Sequence, residues 1–318
     1  MKEVNYVTIV IAHRGASGYL PEHTLSAAAL AYGMGADFIE QDIVLSKDDI
    51  PIVLHDIHVD QVTDVANVFP DRRRGDGRWY ARDFELKELK QLCVHERGYP
   101  DGSGPIFTQR FPYTRGHFQI PTLQEEIDII QGLNHSTGGN VGIYTEIKKP
   151  AWHNKEGADV TLRTINVLHQ NNYKTDLDNI YLQCFDSQEL KRIKYELKSK
   201  LPLIQLIGKN SWDESVDNFD RMVTKKGCKD IAKYAVGIGP AMDLLYTISV
   251  LNNSVSPTNL MRLAKNHDLL VHPFTFRLDG IPLAFKSYEE MVIWFVNELK
   301  VDGLFTDFVD KTISILKK

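Results

Sequence analysis

Four short stretches of this chain bring together residue types able to act on an anion. His13-Arg14-Gly15 closes the apolar run Val7–Ala12. Its arginine offers a planar fork for phosphate-type oxygens, and its histidine titrates near neutral pH. Glu40-Gln41-Asp42 sits in the next β-branched run; strand side chains alternate, so Glu40 and Asp42 share one face and Gln41 takes the other. Glu146 and Lys148 repeat that spacing at the end of Ile143–Lys148. Leu54-His55-Asp56 follows the turn Lys47-Asp48-Asp49, in the manner of a hairpin that returns a second histidine to the same end. Carboxylates turned into a protein interior repel one another and lose hydration unless a cation lies between them. Glu40, Asp42 and Glu146, with no cysteine among them, suit a hard cation, Ca²⁺ or Mg²⁺, better than zinc. Such a cation with Arg14, Lys148 and two histidines supplies charge neutralisation and proton transfer at both ends of a displacement. An anionic phosphodiester requires both.

Residues so far apart in sequence need a frame that gathers them. Apolar β-branched runs predict strands near Val7–Ala12, Phe38–Val44, Val141–Ile147, Ile180–Cys184, Leu203–Ile207, Ala235–Ile238, Leu269–His272 and Gly303–Thr306. Between most of them the apolar spacing is helical, as in Gln188–Leu197 and Glu289–Leu299. Alternating strands and helices imply parallel strands with right-handed crossovers, and eight such units close into an α/β TIM (β/α)8 barrel, expected as a single domain over residues 1–318. Barrel active sites form at the C-terminal strand ends, where His13 and Arg14 fall. Gly15 and Gly18 loosen the backbone there, and Thr24 with Ser26 can cap the helix that follows. Residues 56–120, rich in Gly, Pro, Arg and aromatic residues, interrupt the rhythm. They are expected to form a subdomain inserted after the second strand and folded over one mouth, with a short helix around Phe84–Leu92. Asp71-Arg72-Arg73-Arg74 within it reads as a solvated charge cluster ahead of a substrate site.

Composition narrows the partners. Lys plus Arg number 37 against 42 Asp plus Glu, a formal net charge of -5 and a pI of about 6.1. A general nucleic-acid binder would need a basic face instead. Cys93, Cys184 and Cys228 are too few and scattered for a disulfide framework or a metal knuckle. No run approaches the roughly 20 apolar residues of a membrane helix, so membrane insertion is not expected. Met1 stands close to the first strand, leaving no room for a signal peptide. The chain is therefore expected either to stay in the cytoplasm or to be the mature form of a periplasmic protein, as a monomer or homodimer.

Eight motifs together identify a family. His13-Arg14-Gly15, Pro21-Glu22-His23-Thr24, Glu40-Gln41-Asp42, Leu54-His55-Asp56, Glu146-Ile147-Lys148, Leu182-Gln183-Cys184-Phe185-Asp186, Val271-His272-Pro273-Phe274-Thr275 and Gly303-Leu304-Phe305-Thr306-Asp307-Phe308 span nearly the whole chain. In these the sequence resembles the bacterial glycerophosphodiester phosphodiesterases, most strongly the periplasmic branch, which often has histidine at position 23 where other branches have asparagine. The resemblance implies a TIM barrel with a family insertion after the second strand. It also implies hydrolysis of small glycerophosphodiesters, such as glycerophosphocholine and glycerophosphoethanolamine, to an alcohol and sn-glycerol 3-phosphate. One divalent cation, Ca²⁺ ahead of Mg²⁺, would be held by Glu40, Asp42 and Glu146. His13 and His55 become the acid–base pair of a two-step reaction through a cyclic phosphate, and Arg14 and Lys148 the phosphate binders. Glu22 either orients Arg14 or caps the following helix. Gln183, Phe185, His272 and Phe305 line the glycerol and leaving-group side or serve as packing; Trp152 and His153 rank below them. Two other readings remain. A lysophospholipase D or phospholipase-like phosphodiesterase would want an apolar rim, for which Phe69, Phe84, Phe111 and Phe118 are available. A non-catalytic binding or adhesion protein could keep the same fold.

Overall fold

The computed structural model describes residues 8–113, 115–249 and 254–317. Runs of Val, Ile and Leu form strands because branched side chains fit a pleated surface that is buried on both faces. In chain order these are β1 (Ile9–Ala12), β2 (Phe38–Leu45), β3 (Pro51–Val53), β4 (Gly142–Ile147), β5 (Ile180–Cys184), β6 (Leu203–Ile207), β7 (Gly237–Pro240), β8 (Tyr246–Ile248), β9 (Val255–Pro257), β10 (Leu270–Val271) and β11 (Gly303–Thr306). Eight of them are parallel neighbours in the order β10-β7-β6-β5-β4-β2-β1-β11. The two ends of that row meet where Asp302 N–H donates to the Val271 carbonyl (3.1 Å) and Phe305 N–H to that of Pro273 (3.0 Å). The sheet thus closes into the expected barrel.

β5, β6 and β11 occupy the predicted residues, whereas the first predicted strand starts at Val7, outside the described residues. β7 lies two residues later than expected, because Gly237-Ile238-Gly239-Pro240 reads as a turn in sequence although its backbone pairs with Ile204–Ile207. The antiparallel pair β8–β9 was not expected: Thr247, Ile248, Ser256 and Pro257 are exposed, so no alternation marks it. Several helices start at side-chain caps. Thr122 and Glu125 form a reciprocal capping box for Leu123–Thr137, which ends at Gly138 with φ 70°. The expected helices Gln188–Leu197 and Glu289–Leu299 appear as α-helical turns that continue into π-helical turns at Arg192–Glu196 and Trp294–Leu299. Among the described residues no helix is long and apolar enough to cross a membrane.

Ile11, Phe38, Tyr144, Ile204 and Phe305 fill the barrel interior below the mouth. Segment 56–120 packs a core of its own, in which Val59, Val62, Val65, Phe84, Leu89 and Leu92 cover Val44 and Ile52 of β2 and β3. Its helix spans Leu86–Leu89, shorter than predicted, behind a Glu85–Glu88 capping box. Two arginines of the basic tract there are paired: Arg72 with Glu88 (2.8 Å), and Arg74 with Asp83 and with Glu156 of the barrel (both 2.8 Å).

Candidate active site

A cavity of about 500 Å³ opens at the C-terminal ends of the strands. His13 stays in register with β11 through its N–H to the Thr306 carbonyl (3.0 Å). The chain then reverses at Arg14 (φ 59°) and Gly15 (φ 78°). A Cβ on Gly15 would lie 2.7 Å from the Ala27 carbonyl carbon, so only glycine lets the turn meet helix Leu25–Gly33. The left-handed conformation costs Arg14 about 1–2 kcal/mol. Its N–H bond to Glu40 Oε2 (3.0 Å) helps hold it there.

Parallel register sets the carboxylates. Asp42 on β2 stands beside Glu146 on β4, and Glu40 lies two residues earlier on the same face. One oxygen from each falls within 4.8 Å of the others, and all three residues are buried. Burial, then Asp42 and Glu146, push the Glu40 carboxyl well above the usual range. Burial likewise raises Glu146, outweighing Lys148 at 2.7 Å. Burial would raise Asp42 too, but Lys148 and the His23 ring at 2.7 Å hold it well below. Asp42 Oδ1 is buried without a hydrogen-bond partner. Two carboxyls driven toward protonation for want of counter-charge, plus one unsatisfied oxygen, fit a divalent cation with oxygen ligands. Gln183 Nε2 donates to Glu40 Oε1 (2.9 Å) and orients it.

Each histidine is held from behind by an aspartate. His13 Nδ1 lies 2.6 Å from Asp307 Oδ1, and His55 Nδ1 lies 2.9 Å from Asp56 Oδ1. A carboxylate partner places the proton on Nδ1 and leaves Nε2 free to accept one. Burial and then Arg14 lower the His13 pKa to about 3, against the pull of Asp307. Burial, Arg14 and Lys148 lower that of His55 to about 4, against Asp56. Both rings are therefore neutral at pH 7.

His13, Arg14, Glu40, Asp42, His55, Glu146, Lys148, Gln183, Phe185 and Phe305 all line this cavity. Glu22 does not cap the helix, a task that falls to Thr24 through Ala27 N–H (3.1 Å); it binds Arg14 Nη1 with both oxygens at 3.1 Å. His272 is off the cavity wall, buried in the barrel with Nδ1 2.9 Å from the Tyr144 hydroxyl. Trp152 stacks on Tyr80, and the His153 ring accepts the Leu45 N–H (3.2 Å), also away from the cavity. Phe84 is fully buried with Phe69 against it, and Phe111 packs edge-on to Phe118, so these rings are committed to one another. Sequence reasoning gave Asp307 no role, although it ends a strand as His13 does. The cavity residues Trp212 and Glu214, in the segment after β6, and Tyr246, at the start of β8, have no motif to mark them.

The model of the glycerophosphoryl diester phosphodiesterase family matches residues 13–311. The chain is 40% identical over 326 residues to a glycerophosphodiester phosphodiesterase of Haemophilus influenzae, covering 97% of this chain and 90% of that one. It is 35% identical over 332 residues to one of Treponema pallidum, covering 98% and 92%. In fold, it matches a solved Silicibacter pomeroyi protein with a TM-score of 0.72 at 21% identity, over 98% of this chain and 94% of that one. An Oleispira antarctica phosphodiesterase, solved in complex with the product sn-glycerol-3-phosphate, matches with a TM-score of 0.61 at 22% identity over 98% of each chain.

Proposed function

The chain belongs to the glycerophosphoryl diester phosphodiesterase family and hydrolyses glycerophosphodiesters to an alcohol and sn-glycerol 3-phosphate; we propose that it does so with one divalent cation, Arg14 and Lys148 as phosphate binders, and His13 and His55 as the proton-transfer pair. The observation that carries this reading is the convergence of three buried carboxylates and two histidines with open Nε2 atoms on one cavity. The product seen in the Oleispira antarctica enzyme supports the glycerol 3-phosphate half of the substrate.

Glu40, Asp42 and Glu146 would hold the cation. We favour Ca²⁺, which accepts an irregular carboxylate set, over Mg²⁺, which demands near-ideal octahedral geometry. Once held there, the ion would supply charge neutralisation to an anionic substrate. Arg14 and Lys148 grip the phosphate oxygens from the protein side. One histidine Nε2 takes the proton of the glycerol 2-hydroxyl; that oxygen attacks phosphorus as the bond to the head-group oxygen breaks. The other histidine gives the departing head-group oxygen a proton, and the roles reverse when water opens the cyclic phosphate. Holding the hydroxyl beside phosphorus contributes up to roughly 7–11 kcal/mol. Burial is the larger cause of the lowered histidine pKa values. An anionic substrate between Arg14 and Lys148 offsets the lesser part that those cations contribute, and so favours the protonated form of the histidine that must donate.

Release of sn-glycerol 3-phosphate from glycerophosphocholine is expected to stop in EDTA and return with added Ca²⁺. Undiminished release in EDTA would overturn the cation requirement, and silence with every cation, in folded protein, would overturn the hydrolytic reading itself. A 2-deoxy substrate analogue cleaved at the normal rate would exclude internal attack. Leu283 is fully exposed beside the cavity residue Pro282, an observation that favours an acyl-bearing substrate. Faster cleavage of lysophosphatidylcholine than of glycerophosphocholine would move that reading to the front.

A further inference from the structure

We propose that the 56–120 insertion belongs to the catalytic apparatus: its Arg97 and Arg110 are positioning residues that fix His55 and His13 through Asp56 and Asp307. This inference rests on the reading of the two histidines as the proton-transfer pair. The two arms are built alike. In each, a histidine Nδ1 meets Oδ1 of an aspartate, at 2.6 Å for Asp307 and 2.9 Å for Asp56. In each, Oδ2 of that aspartate accepts from an arginine of the insertion: Arg110 Nη2 at 2.6 Å and Arg97 Nη1 at 2.7 Å. A carboxylate engaged on both oxygens cannot turn, so the ring it holds keeps one tautomer and one orientation.

Both arginines are themselves clamped. Arg110 is bidentate to Asp279 (2.8 and 3.1 Å), and its guanidinium lies 3.7 Å from the centre of the Phe107 ring. Asp307 Oδ2 also accepts from Arg277 Nε (2.8 Å). Arg97 is bidentate to Glu22 (2.9 and 2.6 Å), whose carboxylate in turn holds Arg14. Arg97 opens a hairpin-like turn closed by Ile106 N–H to the Arg97 carbonyl (2.8 Å) and by the Gly98–Pro105 pairing, and Arg110 follows shortly after its end. Arg97 and Arg110 line a smaller space of about 220 Å³ behind the histidines and are not on the wall of the large cavity. They act on substrate only through other groups. Arg110 reaches one histidine alone, whereas Arg97 reaches His55 and, by way of Glu22, the phosphate binder Arg14.

That difference gives the test. Arg97→Lys, Arg97→Gln, Arg110→Lys and Arg110→Gln are made in the full chain and assayed on glycerophosphocholine with Ca²⁺, with thermal unfolding followed alongside. The Arg110 variants are expected to lose roughly 10–100-fold in kcat with KM little changed, as for other residues that orient reacting groups. The Arg97 variants are expected to lose a similar factor in kcat and to raise KM as well. Millimolar guanidinium should restore part of kcat to Arg110→Ala and Arg97→Ala, since it can refill the vacated site on Oδ2; where alanine does not fold, the lysine variants keep the charge without the fork. Folded variants with a lowered Tm but unchanged kcat would overturn the proposal, leaving the arginines as ties between insertion and barrel. His13→Gln and His55→Gln separate the two levels: if these remain active, the acid–base reading falls first.

Discussion

Replacing Glu40 with glutamine is expected to make the cation-free protein more stable and the enzyme inactive. Oxygens of Glu40, Asp42 and Glu146 lie within 4.8 Å of one another in a buried site. At an effective dielectric of about 20, two unit charges at that distance repel by roughly 3.5 kcal/mol. Glu40 takes part in two of the three pairs. Proton uptake already relieves much of that repulsion, since burial and Asp42 push the Glu40 carboxyl well above its usual range. Glutamine forfeits one of the two hydrogen bonds Glu40 accepts, from Gln183 and from Arg14 N–H, a loss of about 1 kcal/mol. The net gain is then about 1–3 kcal/mol, or roughly 2–6 °C in Tm for a chain of this length. Added cation reverses the order, because at a thousand times its Kd a ligand stabilises the wild type by about 4.1 kcal/mol. Thermal unfolding in EDTA and again in Ca²⁺, with sn-glycerol 3-phosphate release measured in parallel, reads all three effects. A Glu40→Gln protein that melts below wild type in EDTA, or that gains as much from Ca²⁺, would refute the reasoning.

Gly18→Ala should damage the site from outside it. Its Cβ would come within 2.7 Å of the Asp307 carbonyl oxygen and 2.6 Å of the Phe308 ring, moving the residue that holds His13. A loss of about 1–3 kcal/mol in stability is expected, together with a fall in kcat; a variant unchanged in both Tm and kcat would show that the turn gives way freely. Glu126, buried in helix Leu123–Thr137, has its carboxyl pushed up to about 8 by burial. Its contribution to stability is complete below the unfolded value near 4.5 and is lost as pH rises through 8. Wild type should therefore lose roughly 2–5 kcal/mol between pH 5 and pH 9 that Glu126→Gln keeps. Parallel Tm-against-pH curves for the two proteins would rule that out.

The sequence by itself determined which groups could do the chemistry and the frame that carries them. Eight apolar runs with helical spacing between them imply a closed parallel barrel, because branched residues buried on both faces have few other solutions. Alternation along β2 alone puts Glu40 and Asp42 on one side. His13, Arg14, His55, Glu146, Lys148, Gln183, Phe185 and Phe305, each at or next to a strand or hairpin end, do meet at one cavity. His272 shows the limit of that rule: it too follows the end of a strand, yet it turns into the barrel, where its ring meets the Tyr144 hydroxyl at 2.9 Å. Tertiary structure alone decided how the charges are apportioned. Asp307 lies 294 residues from the ring it holds, and Arg97 and Arg110 reach the histidines from a segment with no barrel periodicity. Local spacing records which face a side chain takes within its own element. Ion pairs between distant segments depend on barrel closure and on how the insertion packs against β2 and β3, and those distances exist only in the folded chain.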